Sequence, residues 1–114
     1  MLTSFNDGLI SEIGIEKSVN ENVKQLTQLA VNCGMDGIVC SPLEISEVKN
    51  THGSNLQIIS PGIRGKGNAS NDQKRTLSAK QAIDDGADVL VVGRPITDSK
   101  DPAQAAKNIH SDIN

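Results

Sequence analysis

Residues 30–40, with the sequence AVNCGMDGIVC, carry the pattern that decides the fold: a helix end, a glycine, an aspartate and a short apolar run. Residues 82–92, with the sequence AIDDGADVLVV, repeat that pattern 52 positions later. A glycine in this position is typical of a left-handed residue that ends a helix. The apolar run after it is typical of a parallel strand covered on both faces. The repeat therefore predicts a chain in which strands and helices alternate.

Four helix starts are indicated by capping boxes, in which a Ser or Asp stands three positions before a Glu or Gln. They are Ser18 with Glu21, Ser41 with Glu44, Ser78 with Gln81, and Asp101 with Gln104. After the first box, apolar residues at steps of three and four predict one buried helical stripe: Val19, Val23, Leu26, Ala30 and Cys33. We predict strands at residues 2–4, 37–40, 56–59 and 89–92.

Length and composition limit the class of protein. The chain has 114 residues, fewer than half of the roughly 250 in a typical (β/α)₈ barrel, so any barrel must be partial. A net charge of −3 argues against a chain that coats nucleic acid or an anionic membrane. Without a long apolar run or a basic leader, we expect a cytoplasmic protein whose Cys33 and Cys40 are reduced, ordinary small apolar residues.

Two arginines follow predicted strands, where parallel βα proteins bind their ligands. Arg64 comes soon after the strand at 56–59, and Arg94 comes directly after the strand at 89–92. The planar guanidinium group forms bidentate, charge-assisted hydrogen bonds to phosphate. Residues 64–75 also hold four basic side chains against one acid. The sequence thus predicts a site for a phosphorylated small molecule, although a solvated basic loop with Arg94 paired to Asp98 is an alternative.

These residues carry a resemblance to a known family. Residues 60–64 (SPGIR), 72–75 (DQKR) and 92–96 (VGRPI), in that order, resemble the last two βα units of the orotidine 5′-monophosphate decarboxylases. Upstream, residues 2–4 (LTS) and 34–41 (GMDGIVCS) resemble the fifth and sixth strands of that family. The resemblance runs along the whole chain. It implies an α/β fold, the C-terminal half of a (β/α)₈ TIM barrel, with residues 1–114 as one partial domain.

The resemblance also implies the ligand and the residues that bind it. The family converts orotidine 5′-monophosphate to uridine 5′-monophosphate in pyrimidine biosynthesis, without a cofactor or a metal. Phosphate would be contacted by Arg64, Gln73, Gly93 and Arg94. Pro61 would lie near the pyrimidine, and Thr3 with Ser4 would face the base. Residues 64–74 would correspond to a loop that closes over the nucleotide, which excludes water from the site.

One part of the family pattern has no counterpart here. The family's catalysis uses an Asp-x-Lys-x-x-Asp run and a further lysine, and no such run occurs in these 114 residues. We therefore expect a truncated decarboxylase that contains no catalytic residues. As an isolated chain it should be inactive. The alternative is a non-catalytic nucleotide-binding module or remnant. A sister decarboxylase acting on a sugar phosphate is a further alternative, which the Gly-rich stretch ending in Gln73 disfavours.

The implied half-barrel also predicts association. Its outer strands would have unpaired edges and its inner apolar face would be open to water, and both features favour binding of another chain. We expect either a homodimer or a complex with a complementary N-terminal half-barrel, and no nucleic acid or membrane partner.

Overall fold

Three parallel strands form the centre of the fold in the computed structural model, which describes residues 4–64 and 77–114. The strands are β1 (Gly37–Val39), β2 (Gln57–Ser60) and β3 (Val89–Leu90), and they lie in that order in the sheet. Ile38 lies opposite Ile58, and Ser60 lies opposite Leu90. The predicted alternation of parallel strands and helices is confirmed, with β3 shorter than expected.

Six α-helices accompany the strands in the described parts of the chain. Between them, Pro42–Glu44 and Gly53–Asn55 each form one turn of 3₁₀ helix. The α-helices are α1 (Asp7–Glu12), α2 (Val19–Asn32), α3 (Ile45–His52), α4 (Ala79–Asp84), α5 (Arg94–Thr97) and α6 (Pro102–Ile113). None of these helices is long and apolar enough to cross a lipid bilayer.

Capping side chains begin the helices where three of the four boxes predict. The Ser18 hydroxyl accepts from the N–H of Glu21 at 3.2 Å, and the Glu21 carboxylate accepts from the N–H of Ser18 at 3.0 Å. Ser78 and Asp101 also accept from the N–H three residues on, but the reciprocal half of these two boxes was predicted wrongly. The Gln81 and Gln104 amides donate instead to Asp85 and Asn108, each at 2.8 Å.

At the fourth box, the Ser41 N–H donates to the Glu44 carboxylate at 2.9 Å and a helical turn begins at Pro42, as predicted. That turn is a 3₁₀ turn, however, and α3 begins only at Ile45.

Helix α1 was not predicted. Its cap is Asn6, whose side-chain oxygen accepts from the N–H of Leu9 at 3.0 Å. No Glu or Gln follows three positions after Asn6, so the capping-box pattern gives no signal there.

The two faces of the sheet differ in what covers them. Ile58 is fully buried, and Ile38 and Leu90 pack against the same apolar core on the helical side. On the other face, Val39 and Val89 lie on either side of Ile59 and are 61% and 41% exposed. The prediction of strands covered on both faces is therefore wrong for the described residues, because their helices cover one face only.

Helix α2 buries a narrower stripe than predicted. Val19, Val23 and Thr27, at steps of four, are its buried residues. Leu26 is 51% exposed and Cys33 is also exposed, so neither joins the stripe. The apolar prediction holds for the other cysteine, since Cys40 is buried at the end of β1.

The predicted strand at residues 2–4 lies mostly outside the described residues. Residues 2 and 3 lie outside the described residues, and Ser4 lies in a turn rather than a strand. Most of the basic stretch at 64–75 also lies outside the described ranges, with Arg64 as its one described residue.

Candidate functional site

The candidate site is built on the carboxyl ends of β2 and β3, which are neighbours in the sheet. Ser60 and Leu90 are register partners, and Arg64 and Arg94 lie four residues beyond Ser60 and Leu90 respectively. Because parallel strands end at the same edge of a sheet, the two arginine-bearing segments leave the sheet side by side.

The segment after β2 is anchored by its backbone. Gly62 has φ = +79°, a conformation that glycine adopts without strain, and Ile63 is buried. Ile63 forms a parallel bridge with Leu77, and the N–H of Arg64 donates to the Leu77 carbonyl at 3.0 Å. The Arg64 guanidinium also donates to the Ile63 carbonyl at 3.2 Å. The backbone of the half-buried Arg64 is therefore held in place next to the sheet.

The segment after β3 turns directly into helix α5. The Gly93 carbonyl accepts from the N–H groups of Ile96 at 2.8 Å and Thr97 at 3.1 Å, and Pro95 is buried beneath the turn. Among the described residues, a methyl group added at Gly93 would meet no atom within 4 Å. Arg94 is exposed on this anchored turn. A ligand can thus approach both the Gly93 backbone and Arg94.

The structure brings together four of the seven predicted site residues. Pro61 with Arg64 and Gly93 with Arg94 lie on the two neighbouring strand ends. Ser4 lies in an exposed turn and is not part of the described sheet. Thr3 and Gln73 lie outside the described residues, so their predicted contacts are not placed.

A separate groove lies elsewhere on the molecule, in the part of the chain that the structure describes. A groove of about 660 Å³ runs between α2 and α3, and Lys24 and Glu47 form an ion pair of 2.7 Å in its wall. The hydrogen bond from Lys24 holds the pKa of Glu47 below its usual range. Its lining includes no residue of the segments that carry Arg64 and Arg94. Within residues 4–64 and 77–114, no three His, Cys, Asp or Glu side chains are grouped as a metal site.

Two contributors to the site were not predicted. The buried Ser60 hydroxyl lies 3.2 Å from the Cys40 carbonyl oxygen and 3.3 Å from that of Pro61. Leu77 holds the segment at Arg64 through the bridge to Ile63. A serine inside an apolar strand is a usable signal for the first. The second contact joins Ile63 to Leu77, which are too far apart in the sequence for local pattern rules to give a signal.

Parallel strands with helices on their outer side, and two arginines just beyond the carboxyl ends, are the arrangement of part of a (β/α)₈ barrel. Residues 1–109 match the orotidine 5′-phosphate decarboxylase / HUMPS family, and the chain belongs to that family. The predicted resemblance and the predicted half-barrel fold are thereby confirmed.

Individual relatives agree with the family match. Curated proteins named orotidine 5′-phosphate decarboxylase from Psychromonas ingrahamii and Actinobacillus pleuropneumoniae are 45% identical over 113 residues and 46% identical over 114. Those alignments take in 99% of this chain but only 48% and 49% of the relatives. The crystal structure of orotidine 5′-phosphate decarboxylase from Lactobacillus acidophilus superimposes with a TM-score of 0.79 at 31% identity, covering 100% of this chain and 46% of that one. The chain thus spans about half the length of the proteins it matches.

Proposed function

We propose that this chain supplies the phosphate-binding part of an orotidine 5′-phosphate decarboxylase, the enzyme that forms uridine 5′-monophosphate in pyrimidine biosynthesis. The observation that supports the proposal is the register of β2 and β3, in which Ser60 pairs with Leu90. Arg64 follows Ser60, and Arg94 follows Leu90, by the same number of residues. Two guanidinium groups at adjacent strand ends suit a dianionic phosphate, because each can donate two parallel hydrogen bonds to its oxygens.

Different residues of the proposed site contact different parts of the nucleotide. Arg64, Gln73 and Arg94 bind the phosphate with their side chains, and Gly93 donates its backbone N–H. Pro61 lies beside the pyrimidine, while Thr3 and Ser4 contact the base. Family membership and the anchored backbone at Arg64 and Gly93 support this assignment. Binding energy from the phosphate would then hold the base where the reaction takes place.

The proposed function needs a second polypeptide surface. These 114 residues contain no Asp-x-Lys-x-x-Asp run, so the isolated chain, taken as one partial domain, is expected to bind nucleotide without turnover. Val39, Val89 and Val91 are 41–61% exposed on the open face of the sheet. An apolar face of this kind favours association. The partner is an N-terminal half-barrel or, in a homodimer, a second copy, and the complex acts in the cytoplasm.

The test is decarboxylation of orotidine 5′-monophosphate by this chain alone and mixed with the N-terminal half of a relative, followed by loss of substrate absorbance. We expect turnover in the mixture only, and its loss in Arg94→Ala. Lys100→Ala, which removes an exposed cation elsewhere on the chain, is the matched control and should keep full activity. A reconstituted barrel without turnover, or an Arg94→Ala variant with unchanged activity, would contradict the proposal.

A further inference from the structure

Ser60 is a buried polar residue at the point where the sheet meets the candidate site. It is the last residue of β2 and has no exposed surface. Its hydroxyl lies 3.2 Å from the Cys40 carbonyl oxygen, at the end of β1, and 3.3 Å from the Pro61 carbonyl oxygen. A hydroxyl has one proton to donate, so the two carbonyls share it. The Ser60 side chain therefore links β1 to the first residue of the arginine-bearing segment.

The Ser60 backbone makes the connection to the third strand. Its carbonyl oxygen accepts from the N–H of Val91 at 2.9 Å, and Ser60 is the register partner of Leu90. Val91 is followed after one residue by Gly93 and Arg94. Ser60 thus contacts the ends of all three strands. It lies between the segment that carries Arg64 and the segment that carries Arg94.

We infer that Ser60 is a positioning residue that sets the segment at Pro61 and Arg64 against the segment at Gly93 and Arg94, and so determines affinity for the phosphate group. The inference rests on the proposed function, because it assumes that both segments contact one phosphate. Charge-assisted hydrogen bonds depend on the placement of donors, so a shift of the strand end by a fraction of an ångström weakens them.

Ser41 provides a matched control for Ser60. It is also a buried serine at a strand end, 1% exposed, and its hydroxyl has no hydrogen-bond partner among the described residues. Replacing Ser41 by Ala removes a buried hydroxyl without removing a described link between strands. A general effect of losing a buried hydroxyl would appear in both variants, whereas a positioning effect would appear in Ser60→Ala alone.

The experiment compares binding of uridine 5′-monophosphate and uridine, which differ only in the phosphate, to the ¹⁵N-labelled full chain by NMR titration. We expect the unchanged chain to prefer the monophosphate, and Ser60→Ala to weaken monophosphate binding about fivefold to tenfold, the range of one lost hydrogen bond. Uridine binding should fall less than monophosphate binding in Ser60→Ala, so that the preference for the monophosphate shrinks, and Ser41→Ala should keep the full preference. The same spectra report whether each variant is folded.

Each outcome has a distinct meaning. If the unchanged chain prefers the monophosphate and folded Ser60→Ala keeps the same preference, the inference on Ser60 is wrong and the proposed function stands. If the unchanged chain binds both compounds equally, the proposed phosphate site is wrong and the inference on Ser60 is wrong with it. Should Ser60→Ala fail to fold, Ser60→Cys, which fills the space with a weak donor, should show an intermediate loss. A folded Ser60→Cys chain with full preference would equally overturn the inference.

Discussion

The carboxylate of Asp88 accepts a hydrogen bond from the backbone N–H of Ile58 at 2.8 Å, while the Asp88 N–H donates to the Ile58 carbonyl at 2.9 Å. This two-point contact joins the start of β3 to β2, and the Lys49 ammonium lies 3.3 Å from the same carboxylate. The hydrogen bond from Ile58 holds the pKa of Asp88 below its usual range, with a smaller contribution from Lys49. The contact helps to set the strand register on which the positions of Arg64 and Arg94 depend.

Replacing Asp88 should destabilise the fold. We expect Asp88→Ala to lower the free energy of unfolding by about 1–2 kcal/mol, because the part-buried Ile58 N–H loses its charged acceptor. Asp84→Ala, which removes the exposed i,i+4 partner of Lys80, should cost less than about 0.5 kcal/mol. Urea unfolding of both variants measures the difference, and equal costs would contradict a special role for Asp88.

The contribution of Asp88 should depend on pH in one direction. Its pKa is lower in the folded chain than in the unfolded chain, so its stabilisation is complete above the unfolded value of about 3.9 and is lost as pH falls through the folded value. The difference in unfolding free energy between the unchanged chain and Asp88→Asn should therefore shrink between pH 6 and pH 3. A difference that stays constant or grows on acidification would show that the carboxylate charge does not matter.

Two glycines that end helices should respond differently to substitution. Gly34 and Gly86 both have positive φ, so an alanine at either is strained by about 1–2 kcal/mol. At Gly86 the new methyl group would also stand 2.7 Å from Lys49 Cγ, whereas at Gly34 it would meet no atom of residues 4–64 or 77–114 within 4 Å.

Gly86→Ala should therefore cost at least about 1 kcal/mol more than Gly34→Ala, because Lys49 must move away from Asp88 to relieve the contact. Thermal unfolding of the two variants gives the comparison. Similar costs would mean that Lys49 adjusts freely and that its pairing with Asp88 contributes little.

The open face of the sheet should drive self-association of the isolated chain. We expect Val39→Lys to shift the chain toward monomer, because it places a charge in the exposed apolar row with Ile59 and Val89. Ile13→Lys changes an exposed residue at the end of α1 and should leave association unchanged. Sedimentation velocity over a range of concentrations measures both. A chain that is already monomeric would exclude the homodimer.

Local patterns predicted much of the fold. The glycine stops at Gly34 and Gly86, the caps at Ser18, Ser78 and Asp101, and the parallel strands all depend on residues near one another in the chain. The exposure of Leu26 could not be predicted in this way, because helical spacing does not say how wide a stripe the neighbouring elements cover. Helix α1 was missed because its cap, Asn6, acts without the reciprocal Glu or Gln.

The candidate site was predicted to a similar extent. Arg64 and Arg94 could be assigned to one edge of the sheet because parallel strands end together. The link from Ser60 to Cys40 joins residues twenty positions apart, and that from Ile58 to Asp88 joins residues thirty positions apart. Such contacts depend on strand register, which requires the three-dimensional structure.

The bridge between Ile63 and Leu77 has a consequence for engineering and for natural variation in length. It fastens both ends of the intervening stretch to the rest of the fold, so inserted or deleted residues there need not move either end. The entropic cost of closing a chain segment grows only with the logarithm of its length, by about 0.6 kcal/mol for each doubling. Peptide insertions between Arg64 and Leu77 should therefore destabilise the fold far less than insertions of equal size between β3 and α5, even where they displace Gln73 and weaken the proposed phosphate contact.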